Sequence, residues 1–255
     1  MNNRILDKRF SIYQKFIEKA PWYQHSDFGW ILMFHEVVED LTSYEDNITI
    51  SVEHFQSMIK TLRKSFSFHS LSEMWDKKDA CRVFLTFDDV RNSAYINAFK
   101  WLEEEDIPYT CFVSPGLVGM KGYLNHDQLN AISNMQCCEL AIHGKNHRIL
   151  RGLNKKEIED EIIEAKYALS SLAPKCSVDK YAYSYGSMYA VPRMAKMLCK
   201  NEYSFGFGTV NLPLNENYTT RNTYYLPRIN INDMNFAAVM RRMQLQCKPS
   251  FMSTK

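Results

Sequence analysis

Short, wholly apolar runs alternate with longer amphipathic stretches along most of this chain, and that alternation restricts the folds open to it. GWILMF (29–34) reads as a buried strand. SVEHFQSMIKTLRK (51–64) follows as a helix, N-capped by Ser51, with an apolar stripe at Val52, Phe55, Met58, Ile59 and Leu62. Ser70 and Glu73 stand at capping-box spacing for a short helix. CRVFLTF (81–87) is the clearest strand, 92–105 reads as helix, and YTCFV (109–113) as strand. Next come a helix over 125–135, a strand CCELAI (137–142), and a long helix over 154–172 with Asn154 as cap and Glu157 three residues on. KYAYSY (180–185) reads as a strand and 190–200 as a helix. YSFGF and TYYLPRINI read as late strands, and 233–245 as a last helix. Strands alternating with helices argue for parallel β/α units. About seven of them fit an irregular barrel, with a doubly wound open sheet as competitor. Either architecture places active residues at the C-terminal ends of strands.

No Pro/Gly-rich linker, repeat or low-complexity tract interrupts the pattern, so a single domain is expected. Its parts are an N-terminal helical extension packed on the barrel (1–28), the barrel itself (29–247) and a C-terminal tail (248–255). The extension places Ile5, Phe10, Tyr13, Phe16 and Ile17 at amphipathic spacing; packing on the domain is the favoured reading and membrane-surface docking the minor one. The longest apolar run, WILMF, is too short to span a bilayer, and the N-terminus lacks the apolar core of a signal peptide. These point to a cytoplasmic protein without a transmembrane segment. A net charge of +2, with acids and bases interspersed, gives no argument for nucleic acid as a partner. Seven cysteines form no CxxC pair and sit mostly in apolar runs, which favours reduced core thiols over a disulfide framework. The oligomeric state is not legible.

The chemistry gathers just past two strands. Asp88 and Asp89 end CRVFLTF, where neighbouring side chains of an extended strand would point to opposite faces. If the strand breaks there, both carboxylates can turn to one mouth, and their repulsion then calls for a cation or a shared proton. The alternative is that one of them caps the helix starting near Arg91. His143 and His147 follow CCELAI at i and i+4, which in a helical turn would put both imidazoles within reach of one ion. Two histidines and one aspartate make an open three-ligand set for zinc or a related divalent ion. The second aspartate is then free to take a proton from water.

These motifs resemble the polysaccharide deacetylase superfamily, carbohydrate esterase family 4. TFDDV stands where the family has TFDDG, HGKNH matches its spaced His pair, and YAYSYGS its FAYPYG variant; ILMFHEV and YLPRINI resemble its early and late segments. The likeness runs from about residue 30 to 231. It implies a deformed (β/α)7 TIM-like barrel. It further implies Asp88 as general base, Asp89, His143 and His147 as ligands of a divalent transition metal (zinc first, cobalt or nickel as alternatives), and the Tyr185 backbone N–H as oxyanion donor. The activity implied is metal-dependent hydrolysis of an N-acetyl, O-acetyl or N-formyl group on a sugar, a nucleotide- or lipid-linked precursor included, in surface polysaccharide biosynthesis or carbohydrate metabolism.

Three positions depart from the pattern, and one expected residue is missing. Val90 replaces the Gly of DDG, where a β-branched residue adopts positive φ only with difficulty. Ser184 replaces a Pro, and Ala182 stands where many members carry an Arg that contacts the base. No histidine follows His147, although many members use a late one as general acid. His35, at the end of the first strand, could substitute for it, or be a histidine satisfied locally. Arg228 could steady the Asp88 charge or a substrate anion, or form a structural ion pair. Val90 and the missing histidine motivate the alternative of a degenerate, non-catalytic member that binds a glycan or a partner protein.

Overall fold

The computed structural model describes residues 3–42, 47–76 and 79–247; the expected tail at 248–255 lies outside them. Among the described residues ten strands follow in chain order: β1 (Trp30–Phe34), β2 (Glu36–Val38), β3 (Thr49–Ser51), β4 (Ser67–Phe68), β5 (Arg82–Phe87), β6 (Tyr109–Val113), β7 (Cys138–Ile142), β8 (Lys180–Ala182), β9 (Phe205–Phe207) and β10 (Ile229–Asn230). The helices are α1 (Asn3–Lys19), α2 (Val52–Leu62), α3 (92–104), α4 (His126–Ile132), α5 (155–172), α6 (Arg193–Glu202), α7 (Glu216–Thr219) and α8 (Phe236–Gln246).

An all-parallel sheet in the order β10-β1-β5-β6-β7-β8-β9, with β4 beside the start of β5, curls into a half-barrel wrapped by helices. This is the deformed (β/α) barrel expected, in one domain. The caps act as their sequences require. Ser51 Oγ accepts from His54 N at 3.2 Å, and capping boxes close at Ser70/Glu73 and Asn154/Glu157. The small β2–β3 sheet and β4 carried no sequence signal, because two or three residues are too few to show a period.

Two expected strands are shorter than their apolar runs. Pro227 has no N–H to donate, so TYYLPRINI contributes one bridge, Leu226 to Phe207, and then only Ile229 and Asn230. KYAYSY leaves the sheet after Ala182, ahead of a left-handed Tyr185 at φ 61°.

Strand parity aims the site. Ile31, Phe84, Phe112, Ala141, Ala182, Phe207 and Leu226 fill the barrel interior as one apolar cluster. Ile31 is in register with Phe84, Phe112 with Ala141, and Ala182 with Phe207. Counting on by twos along each strand reaches His35, Asp88, Ser114, His143 and Ser184 at the C-terminal mouth. The alternate residues, such as Trp30, Leu85, Phe87 and Ile142, pack outward against the helices.

Cys81 and Cys247 are bonded, with their Cα atoms 5.3 Å apart, which joins the start of β5 to the end of α8 across 166 residues of sequence. This corrects the expectation that all seven cysteines are reduced thiols. Partners so distant in sequence have no short-range signature. Cys111, Cys137, Cys138, Cys176 and Cys199 are free. Cys247→Ser is expected to lower unfolding stability by about 2–4 kcal/mol, by releasing a long closed loop in the unfolded chain. Urea midpoints of the two proteins without reductant measure this, and identical midpoints would count against a stabilising bridge.

Candidate metal centre

A cleft of about 450 Å³ opens at the C-terminal mouth of the barrel. Its wall includes His35, Asp88, Asp89, His143, His147 and Tyr185. Asp88 is held at the end of β5 by its backbone N–H, which donates to Phe34 O at 2.9 Å. The chain then turns sharply: Asp89 and Val90 take φ of 61° and 48°, and Val90 N reaches back to Asp88 O at 2.6 Å. That turn brings the Asp89 side chain to the same mouth as Asp88. Helix α3 is not capped by either carboxylate, since Arg91 occupies its N-cap without a side-chain bond. The capping alternative therefore fails.

Asp89, His143 and His147 each present one ligand atom, and all three atoms lie within 4.8 Å of one another. His147 Nε2 is 3.0 Å from Asp89 Oδ1, and His143 Nε2 is 3.8 Å from the same oxygen. Asp89 Oδ1 is buried and accepts no hydrogen bond among the described residues. An oxygen left so, facing two imidazole nitrogens, fits a cation. The His143 tautomer fits too. Nδ1 lies 3.0 Å from Ala182 O, which can only accept, so Nδ1 carries the proton and Nε2 is left free to ligate. Burial lowers the pKa of His143 against the pull of Asp88, which favours the neutral ring a metal needs.

The two histidines are not joined by a helical turn as their spacing suggested. Residues 143–147 form a loop, with Gly144 at φ 76° and His147 at φ 55°, which sets the ring centroids 4.9 Å apart. A Cβ on Gly144 would stand 2.9 Å from Glu161 Oε2 and 3.0 Å from Ser184 Oγ. Buried Glu161 comes from a π-helical turn of α5 and accepts from the Asn146 backbone and side-chain N–H groups at 3.0 and 3.1 Å. Ser114 and Ser184 hydroxyls both donate to His143 O, at 2.7 and 2.9 Å. Ser184 therefore makes a contact that the Pro it replaces could not make.

Arg228 reaches in from the edge of β10 and clasps Asp88 with two bonds, Nη1 to Oδ1 and Nη2 to Oδ2, each 2.6 Å. Both groups are buried. Burial alone would raise the Asp88 pKa; the Arg228 guanidinium, helped by His143, outweighs it and holds the carboxyl below the usual range. Arg228 thus makes a contact to Asp88 that the Ala182 side chain cannot make. His35 sits in the cleft with its Nδ1 buried and without a partner among the described residues. Burial lowers its pKa, opposed by Asp88 and Asp89. The Tyr185 ring lies 4.9 Å from the His147 ring, and no hydrogen bond occupies the Tyr185 backbone N–H among the described residues.

Sequence reasoning missed Arg91 and Tyr123. The Arg91 guanidinium stacks on the Tyr123 ring at 4.3 Å, with Nη2 3.5 Å from Asp89 Oδ2, and both residues line the cleft. Arg91 directly follows the carboxylate motif, but nothing in the local sequence points to Tyr123 as its partner.

Val90→Gly tests the turn. A buried β-branched residue in left-handed backbone stores about 1–3 kcal/mol of strain. Its replacement relieves that strain while forfeiting about 2–4 kcal/mol of burial and backbone restriction. The net loss is expected to be about 1 kcal/mol, read from denaturant midpoints. A loss of the full burial term would show Val90 to be unstrained.

The profile of the polysaccharide deacetylase family matches residues 76–203, half of the chain, a span that includes Asp88, Asp89, His143, His147 and Tyr185. A poly-β-1,6-N-acetyl-D-glucosamine N-deacetylase of Staphylococcus aureus is 27% identical over 219 residues, covering 77% of this chain and 72% of that protein. IcaB from Ammonifex degensii superposes with a TM-score of 0.72 at 20% identity, over 87% of this chain and 99% of that one. The Streptococcus pyogenes deacetylase PplD, solved in complex with acetate, gives 0.70 at 20% identity, over 86% and 98%. At these identities the two structures establish the fold. Among the described residues no helix is long and apolar enough to cross a membrane.

Proposed function

The chain belongs to the polysaccharide deacetylase family, hydrolases of carbon–nitrogen bonds other than peptide bonds, and on that premise we propose that it removes N-acetyl groups from a surface glycan built of N-acetylglucosamine. The observation that carries this reading is the pairing of two sites in one cleft: an Asp89/His143/His147 cluster beside a carboxylate, Asp88, kept ionised by Arg228.

Asp89, His143 and His147 would hold a divalent metal ion, zinc foremost. Such an ion supplies Lewis acidity to the acyl carbonyl and acidity to water. Asp88 takes the proton of the attacking water as its oxygen bonds to the acyl carbon. Its two oxygens keep lone pairs beyond those committed to Arg228. The C–N bond then breaks, and the proton passes to the leaving amine, giving acetate and glucosamine. Among the described residues His35 is the remaining imidazole on the cleft wall and would share that transfer. The Tyr185 N–H, free of other bonds among the described residues, would donate to the oxygen that gains charge.

The test is metal content together with acetate release. Protein purified without chelator is expected to hold about one divalent ion per chain and to release acetate from N-acetylated β-1,6-glucosamine oligomers. His143→Ala/His147→Ala should lose both the ion and the activity. O-acetylated and N-formylated sugars, assayed in parallel, identify the acyl group. Metal binding without turnover on any of these substrates would instead favour a glycan-binding member of the family.

A further inference from the structure

Helix α1 packs on the barrel by one side only. The Phe10 ring stands 6.1 Å from that of Tyr189, Gln14 Nε2 donates to Thr209 O at 3.1 Å, and Ile17 is buried. Glu18 is also committed to this side, where it accepts from Gln14 and from the Asn211 backbone N–H.

The other side is apolar where water would be expected. Ile12 is 59% exposed, Tyr13 56% and Phe16 61%. Ile12 and Phe16 lie one helical turn apart, and Tyr13 adjoins them, so the three form one patch. Lys8, Arg9, Lys15 and Lys19 fall on the same half of the helix, and all four are exposed. None of them forms an ion pair among the described residues, and no described acid of α1 shares their face. Bulky aliphatic and aromatic side chains flanked by unpaired cations make an interfacial surface: the rings and the aliphatic chain enter the acyl boundary while the cations meet headgroup phosphates.

We infer that this face of α1 docks on an anionic phospholipid bilayer, with the helix lying in the plane of the surface. A second copy of the chain fits it poorly, because a self-complementary contact would oppose four cations to four. A soluble polyanion would leave Ile12 and Phe16 uncovered. The inference does not rest on the proposed activity. It bears on the cleft through Thr209, which is tied to Gln14 and lines the cleft wall, so docking would hold the mouth at a fixed distance from the lipid.

Vesicle flotation of the full chain tests this, using phosphatidylcholine with and without phosphatidylglycerol. The protein is expected to float with phosphatidylglycerol vesicles, only weakly with phosphatidylcholine alone, and to be released by salt that shortens the Debye length. Lys15→Gln/Lys19→Gln should lower partitioning about fivefold per charge, equivalent to about 1 kcal/mol each. Ile12→Ser/Phe16→Ser should lower it about tenfold or more. Circular dichroism and an unchanged melting temperature show that the variants remain folded. Absence of flotation with phosphatidylglycerol would overturn the inference. So would flotation that Ile12→Ser/Phe16→Ser leaves unchanged, which assigns a purely electrostatic contact. Concentration-dependent dimerisation abolished by the same pair would assign the face to a second copy and overturn it equally.

Discussion

Asp88→Asn is expected to cut acetate release by about 10²–10⁴-fold while leaving metal content at the wild-type level. The geometry separates Asp88 from the ligand cluster. Its two oxygens are both engaged by Arg228, and Oδ2 stands 3.5 Å from His143 Nε2, while the unpartnered oxygen facing the two histidines belongs to Asp89. Asn keeps the shape, removes the charge and cannot take up the proton. It also turns an amide N–H₂ toward the guanidinium and leaves the buried Arg228 charge without its anion, so a stability loss of about 3–5 kcal/mol is expected alongside, and a circular dichroism melt distinguishes that from unfolding. Metal analysis and single-turnover acetate release decide the assignment. A variant that loses its metal would make Asp88 a ligand, and one within tenfold of wild type would place the base elsewhere. Asp89→Asn should behave oppositely, losing the metal first.

The sequence made the frame and half the site legible, and the division has a physical cause. The apolar runs at 82–87, 109–113 and 138–142 announced strands because buried parallel strands are apolar on both faces. Asp88, His35 and His143 could be located because each lies an even number of residues beyond an inward-facing strand residue, so parity aims them. Asp89 and His147 break that parity. They reach the mouth through left-handed backbone at Asp89, Val90 and His147, a conformation that Asp and His adopt more readily than most residues but that is uncommon at any one position and exceptional for a β-branched Val. The resemblance to a known motif supplied what periodicity could not. Arg228 was a candidate partner of Asp88 through the late PRI segment, but the choice among its alternatives was beyond local reading, since it lies 140 residues away and the closure of β10 on β1 brings it near. The same holds for Glu161, whose hold on the 143–147 loop depends on a π-helical turn within α5. The Cys81–Cys247 bond is the extreme case, joining two runs with no common motif.

Arg228→Met is expected to cost about 3–5 kcal/mol of stability near neutral pH, the usual result of leaving a buried charge without its partner. Met fills much of the volume against Phe112, which the guanidinium now covers at 4.9 Å, so packing is a small part of the loss. The decisive comparison is the double variant Arg228→Met/Asp88→Asn. With no carboxylate left to neutralise, it should recover about 2 kcal/mol or more of the single variant's deficit, a coupling read from a four-corner cycle of urea midpoints. The dependence on pH has a definite sign. Arg228 holds the folded-state pKa of Asp88 below its ordinary value, so the pair's contribution is complete above the ordinary carboxylate range and is lost as pH falls through the depressed folded value. The stability gap between wild type and Arg228→Met should therefore narrow in acid. In the single variant burial acts unopposed by the guanidinium, Asp88 retains a proton to higher pH, and the acid limb of its residual activity should move upward. A gap that stays constant from neutral pH into acid, with no recovery in the double variant, would assign Arg228 to packing and leave the ionisation of Asp88 to other groups.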